Sequence, residues 1–430
     1  MSAAATLRVS SELAGTKPAR GEYAVTFCGV AALLLFAPLA FGATQPWSIF
    51  VLEGGADLVF VLWAVKQINS PDLRIQLNPL FGPMTVFGLL VLAQLVSGRT
   101  AYRHATLFVG LQWLAYAILA FLLIQCLRTT KQLQSLAKLV TVYGISIATF
   151  AILQSSVPSW LHYWPRVHSF SGIYGPYVNR NHYAGLMEML LPVPLVISLS
   201  PRVATSQRAL AAVAAAIMAG SVFLSGSRGG VISLSCEIVF LFLMLLKRRK
   251  AGLPFLSLFL GTTILVVGWL GVGQIGARFS SIRSGSNELA ASTRLAVDRD
   301  CLRMFAANPL GFGLGTFSDV YPAYRSFYGD VTLDHAHDDY LELLVETGIL
   351  GFATVSWFLV TLYRSAFKKL DAWEFNARSA ASVGALVGVT GILVHSLVDF
   401  NLQIPANAAW FVVLCVVAAM EPVSSRHSAG

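Results

Sequence analysis

The chain has 430 residues, of which 56% are hydrophobic and only 12% charged, with a mean hydropathy of +0.68. A soluble globular domain carries roughly a quarter charged residues, so these proportions exclude one and define an integral membrane protein. The formal net charge of +9 raises nucleic acid as a partner, but the basic residues are scattered among short loops, with KRRK at 247–250 the densest group; no nucleic acid is implied.

Apolar runs of about 18 residues or more, each enough to cross a hydrocarbon core of about 30 Å, recur along the chain. Twelve are found, at 22–42, 48–66, 79–97, 107–127, 136–155, 181–200, 209–226, 229–247, 254–272, 343–363, 379–397 and 406–420. The expected fold class is therefore an all-α polytopic membrane protein with about twelve transmembrane helices. The first run is long, lacks a small-residue cleavage pattern and is closely followed by others, so it is expected to be an anchor rather than a signal peptide. Cys28, Cys126, Cys236 and Cys415 fall in apolar runs and Cys301 stands alone in a loop, so neither a disulfide framework nor a CxxC metal pattern is present.

Alternate loops carry the positive charge, which orients the spans. With the 1–21 and 421–430 tails inside, the cytoplasmic side holds 19 of the 30 basic residues and all eight lysines. The outer face then has only arginines: 99, 103, 166, 180, 228, 278, 283, 294, 299, 303 and 325. Arginine offers a planar fork for bidentate contact with phosphate or carboxylate, whereas lysine is a point charge. Such a face points to phosphate binding there, or to arginines resting on lipid headgroups.

Two outer loops are long. Residues 156–180 include SWLHYWPRVHSFSGIYGPYVNR, and residues 273–342 include the helix-periodic LAVDRDCLRMFAANP followed by a GFGLGTF turn. Loops of this length are uncommon unless functional, and the second is expected to be a small helical periplasmic domain between spans nine and ten. The domain reading is thus spans one to nine over 22–272, the loop domain over 273–342, and spans ten to twelve over 343–420. No GxxxxGK[ST] element is present and inner loops are short, so nucleotide-driven transport and cytosolic nucleotide-sugar chemistry lose weight.

The polar constellations follow in chain order. GPYVNRNHYAGLMEMLLP at 175–192 opens span six with Arg180, Asn181 and His182, as a binding group or as interfacial snorkelling. FLSGSRGGVIS at 223–233 sets Arg228 among three glycines, a turn where backbone N–H groups and a guanidinium can meet an anion at a helix N-terminus. Asp298-Arg299-Asp300 matches a D-x-D pattern, but lies in an amphipathic helix pattern where salt-bridging is the preferred role. In DHAHDDYLELLVETGILG at 334–351, Asp334 is read as an N-cap, making His337 the third helical residue, where the positive end of the helix dipole favours a neutral imidazole. Nearby Asp338, Asp339 or Glu342 oppose that bias, and a solvated helix cap is the plain alternative. His335 and His337 lie two apart, so they share no helix face and make a poor metal pair; no metal is expected. HSLVDFNLQIPANA at 395–408 puts His395 and Asp399 one helical turn apart, read as a structural hydrogen bond.

Together these segments resemble the O-antigen ligase family, within the group that also contains O-antigen polymerases and bacterial O-oligosaccharyltransferases. The resemblance rests on NRNHYAG at 179–185, SGSRGG at 225–230, Ser292 to Arg294 with the following NPLGFGLGTF, the H-x-x-Y-L-x-x-x-x-E-x-G pattern from His337 to Gly348, and HSLVDFNLQIPAN. It covers roughly residues 170–410. The family usually has Asn or Ser after the histidine, and this chain departs from it with Asp338.

The resemblance implies a glycosyltransferase of the bacterial inner membrane, with both termini cytoplasmic and a periplasmic active site. It would move a glycan from undecaprenyl diphosphate to a sugar hydroxyl of the lipid A core, in lipopolysaccharide assembly. His337 would be the base; Arg228 and Arg294, then Arg180, would bind the donor diphosphate. Asn181, His182, Asp338, Tyr340, His395 and Asp399 would support them. Because the donor carries its own leaving group, no cofactor is implied. A non-enzymatic transporter of lipid-linked sugar would instead concentrate ionisable groups at mid-membrane.

Overall fold

The computed structural model describes residues 24–70, 75–127, 129–155, 174–247, 257, 261, 291–328, 332–370 and 377–420. Among these the fold is all-helical. The helices in chain order are α1 (Ala24–Leu39), α2 (Pro46–Ile68), α3 (Phe81–Val96), α4 (Arg103–Cys126), α5 (Thr130–Ser155), α6 (Arg180–Leu190), α7 (Pro192–Ser198), α8 (Thr205–Ser225) and α9 (Arg228–Lys247). They continue as α10 (Ala291–Ala307), the single turn α11 (Phe317–Val320), α12 (Asp339–Leu370), α13 (Ala377–His395) and α14 (Pro405–Ala419).

Six of these, α2, α4, α5, α8, α9 and α12, contain apolar stretches long enough to cross a membrane, and α1, α3, α13 and α14 are shorter apolar helices. The chain is a multi-pass membrane protein. The run expected at 254–272 lies, apart from residues 257 and 261, outside the described residues. The run expected at 181–200 as one span is two helices, because Pro192 and Pro194 interrupt the ladder after Leu190.

Helix α13 runs through the middle of the bundle and packs on α6, α7, α9 and α14. Small residues permit this approach where lipid offers no hydrophobic drive between helices. A Cβ at Gly384 would fall 2.6 Å from Val193 Cα, and one at Gly388 would fall 2.5 Å from the Met189 carbonyl oxygen. The α6–α7 break is therefore pressed directly against the α13 backbone.

Helix α12 begins at Asp339, earlier than the apolar run alone predicts, and is broken at Gly348, whose φ of 65° and ψ of −167° suit only glycine. The break frees carbonyls that the glycine-rich loop then captures. Phe312 N–H donates to Val345 O (3.0 Å), Gly313 N–H to Glu346 O (2.8 Å), and Ile349 N–H to Pro309 O (2.9 Å). This pairing anchors the 308–316 loop, and through it α10, against the head of α12. Within α10, Asp300 is fully buried and accepts from Ser326 N–H (3.0 Å) and Ser326 Oγ (3.1 Å), with Arg303 at 3.2 Å. The D-x-D pair thus contributes an organising carboxylate.

Gly388→Ala is expected to lower thermal stability by about 1–3 kcal/mol, since the new methyl meets fixed backbone and not a side chain that can turn away. Thermal unfolding of the purified protein in detergent checks this.

Candidate functional site

The head of α12 is built from its carboxylates. Asp338, not Asp334, is the N-cap: its Oδ1 accepts from Tyr340 N–H (2.8 Å) and Leu341 N–H (2.9 Å). Burial raises the Asp338 carboxyl while these two donors pull it down. Asn, Ser and Asp are the strongest N-cap formers, so Asp338 suits this place at the start of the helix. His337 consequently precedes the helix and does not sit in its first turn. It lies at φ 59°, in the left-handed region rare for non-glycine residues.

Glu342 explains why the helix does not begin earlier. Its carboxylate accepts from Ala336 N–H (2.8 Å) and lies 2.7 Å from His335 Nδ1, drawing residues 335–336 into a turn. Burial alone would depress the His335 imidazole, but the Glu342 carboxylate against it lifts its pKa to about 9.

The head of α12 is docked on the turn that follows α13. Asp339 N–H donates to Ser396 O (2.9 Å), Ser396 Oγ donates to Asp339 Oδ2 (2.7 Å), and Leu402 N–H donates to the same oxygen (3.1 Å). Tyr340 OH donates to Leu393 O (2.7 Å). These bonds lay residues 396–402 across the mouths of several helices.

On that turn, the motifs separated in sequence meet. Arg294, in the first turns of α10, donates from Nη1 to Val398 O (2.9 Å). Gly229, next to Arg228 at the start of α9, is pressed on the same turn: a Cβ there would fall 2.5 Å from His395 Nε2 and 3.2 Å from Val398 Cγ2. Ser227 caps α9 by accepting from Gly230 N–H (3.1 Å). Asp399 Oδ1 lies 3.4 Å from His337 Nδ1, at ion-pair distance. Burial would raise Asp399, yet the adjoining His337, with His182 and His395 nearby, holds its carboxyl well below the usual range.

Helix α6 closes the other side. Asn179 caps it by accepting from Asn181 N–H (2.8 Å), and Arg180 is its first, half-buried residue. The His182 ring meets Phe400 edge to face with centroids 4.7 Å apart. Asn407 donates from Nδ2 to His182 O (3.0 Å) and accepts from Tyr177 OH (2.8 Å). Tyr174 and Tyr177 are buried in the protein.

The structure thus joins His337, Asp338, Tyr340, Arg294, His182, His395 and Asp399 through one turn, and brings the backbone beside Arg228 onto it. Arg180 and Asn181 stand at the head of α6 beside His182. His395 and Asp399 do not pair through their side chains. Asp399 N–H donates to His395 O (3.1 Å), and His395 Nδ1 turns to Glu188, 3.1 Å from each carboxylate oxygen. Sequence reasoning missed Glu188, although a lone carboxylate in the apolar MEMLLP run is a signal in itself. It also missed Phe400, one of 27 phenylalanines with nothing to single it out.

Chemically, His337 stands with the Asp399 carboxylate 3.4 Å from its Nδ1. Several helix N-termini and at least one arginine close on the same place, an arrangement suited to anionic groups.

Fold and site define a class: a multi-pass, all-helical membrane protein whose polar site is assembled where helix N-termini meet one turn. Residues 213–356, about a third of the chain, match the family model described as O-antigen ligase, which supports a member of that family. The matched segment contains Arg228, Arg294 and His337, while His182, His395 and Asp399 come from outside it. The match supports glycan transfer in general, the chemistry of ligases and polymerases. No curated protein matches the chain.

The raised pKa of His335 has a defined consequence. Its pairing with Glu342 stabilises the fold fully below about pH 6.5 and is lost as pH rises through about 9. His335→Gln is expected to be less stable than the parent near neutral pH, and the gap should close as pH is raised through that window, measured by thermal unfolding.

Proposed function

We propose that the protein is an O-antigen ligase, transferring a glycan from undecaprenyl diphosphate to a sugar hydroxyl of the lipid A core. The observation that carries this reading is the convergence of His337, Asp399, Arg294 and the Arg228 turn on residues 396–402. In the proposed topology about twelve spans cross the bacterial inner membrane, both termini are cytoplasmic, and residues 273–342 form the periplasmic domain that ends at the base.

In the proposed reaction the acceptor hydroxyl oxygen attacks the anomeric carbon from the face opposite the diphosphate. His337 takes the hydroxyl proton on Nε2, because Nδ1 faces Asp399; general-base assistance of this kind contributes about 10²–10⁴-fold. The new glycosidic C–O bond forms as the anomeric C–O bond to phosphate breaks, and its electron pair leaves on the diphosphate. Arg228 and Arg294, with Arg180, neutralise that charge, aided by the N-termini of α6, α9 and α10. A single displacement inverts the anomeric centre. The leaving group is already on the donor, so ATP and a metal ion have no step to perform. Asn181, His182, Tyr340 and His395 support the framework around the reacting groups.

The same chemistry serves a polymerase, whose acceptor is a second lipid-linked glycan, or a protein O-oligosaccharyltransferase. A deletion strain separates them: loss of all O-glycan from lipopolysaccharide marks the ligase, single-repeat capping the polymerase. In proteoliposomes with lipid-linked glycan and lipid A core, transfer is expected without ATP or divalent metal. His337→Ala should lower it by about 10²–10⁴-fold; undiminished transfer in that variant would remove His337 as the base.

A further inference from the structure

Three histidine rings from two distant parts of the chain share a single aromatic neighbour. Phe400 stacks on His335 with centroids 4.5 Å apart at 24°, and meets His182 at 4.7 Å and 73° and His337 at 4.8 Å and 76°. It follows Asp399 directly, and its own N–H donates to Asp399 Oδ1 (2.9 Å). The ring and the carboxylate that face His337 are thus set by adjacent residues of the same turn.

His337 needs this support. Its backbone sits at φ 59°, where an L-residue with a Cβ is strained. The Asp399 carboxylate lies 3.4 Å from Nδ1, and that nitrogen is buried without a hydrogen-bond partner. An ion-pair contact that is not a directed hydrogen bond does not fix the plane of an imidazole. Edge-to-face packing against Phe400 does, since aromatic pairs prefer defined offsets and tilts. The same face is also suited to a cation at this range, so it accommodates the ring before and after proton uptake.

Phe400 also separates the two histidines of the H-x-H pair. His335 lies nearly parallel to the phenyl ring and is turned to Glu342 at 2.7 Å, whereas His337 is nearly perpendicular and turned to Asp399. Two imidazoles two residues apart are thereby given different planes and different carboxylates.

Resting on the proposed glycan transfer with His337 as base, we infer that Phe400 is a positioning residue. Its ring holds the His337 imidazole at the angle from which Nε2 meets the acceptor hydroxyl, and keeps His335 out of that task. It touches neither reacting group in this account and acts only through His337.

The test combines kinetics with a structural readout on the full-length protein in nanodiscs. Phe400→Leu keeps apolar bulk but removes the flat face, and Phe400→Tyr restores it. Phe400→Leu is expected to lower kcat by about 10–100-fold, the scale of an ångström-level misplacement of a catalytic group, with KM for lipid-linked donor and acceptor within about twofold of the parent. Phe400→Tyr should recover most of the turnover. In parallel, ring-proton shifts of labelled His182, His335 and His337 should lose the Phe400 ring-current contribution in Phe400→Leu and keep it in Phe400→Tyr. Parent-like kcat in Phe400→Leu, or a loss confined to KM, would overturn the inference. So would a Phe400→Tyr variant that restores the shifts without restoring turnover. Absence of transfer by the parent protein would instead count against the glycan-transfer reading, and the shifts would still report whether Phe400 orients the three rings.

Discussion

The site depends on one buried carboxylate, that of Asp339. It binds the Ser396 hydroxyl and the Leu402 N–H at the same oxygen, while its own N–H reaches back to Ser396 O. A carboxylate removed from water is costly unless hydrogen-bonded, and here its bonds clamp both ends of a seven-residue turn to the head of α12. Four groups of the turn are then displayed in order: Val398 O toward Arg294, Asp399 toward His337, Phe400 toward three imidazoles, and Asn401 into the space left by Gly185. Tyr340 OH on Leu393 O (2.7 Å) adds a second tie between the head of α12 and the last turn of α13.

The turn is held from below by a second couple. Glu188 in α6 meets His395, the last residue of α13, and both are buried. The two histidine–carboxylate couples on either side of the turn have different surroundings. His395 and Glu188 are enclosed among helices, whereas His337 keeps part of its side chain exposed beside Asp399. In the proposed reaction the accessible couple is the one that exchanges a proton, while the enclosed one stays within the helix framework.

Much of the helical fold was legible because apolar runs of membrane length have few alternatives. What was not legible came from contacts made across the chain. The break at Gly348 exists because Phe312 and Gly313 capture carbonyls from α12, which local hydropathy does not encode. The N-cap moved from Asp334 to Asp338 because Glu342, one turn inside the helix, pulls Ala336 N–H and His335 into a non-helical turn. His395 and Asp399 have the spacing of a helical pair, yet α13 ends at His395 and their side chains part toward Glu188 and His337. The candidate residues were visible as types, histidine and arginine at the ends of apolar runs. Their grouping required the 396–402 turn, and Phe400 had no local signal at all.

The central claim is that His337 and Asp399 act as one unit on that turn. A double-mutant cycle with His337→Ala and Asp399→Asn, read as kcat/KM for glycan transfer in proteoliposomes, tests it most directly. The account predicts strong non-additivity, with the double variant about as slow as His337→Ala alone, because the carboxylate works only through the imidazole. Losses that simply add would contradict it.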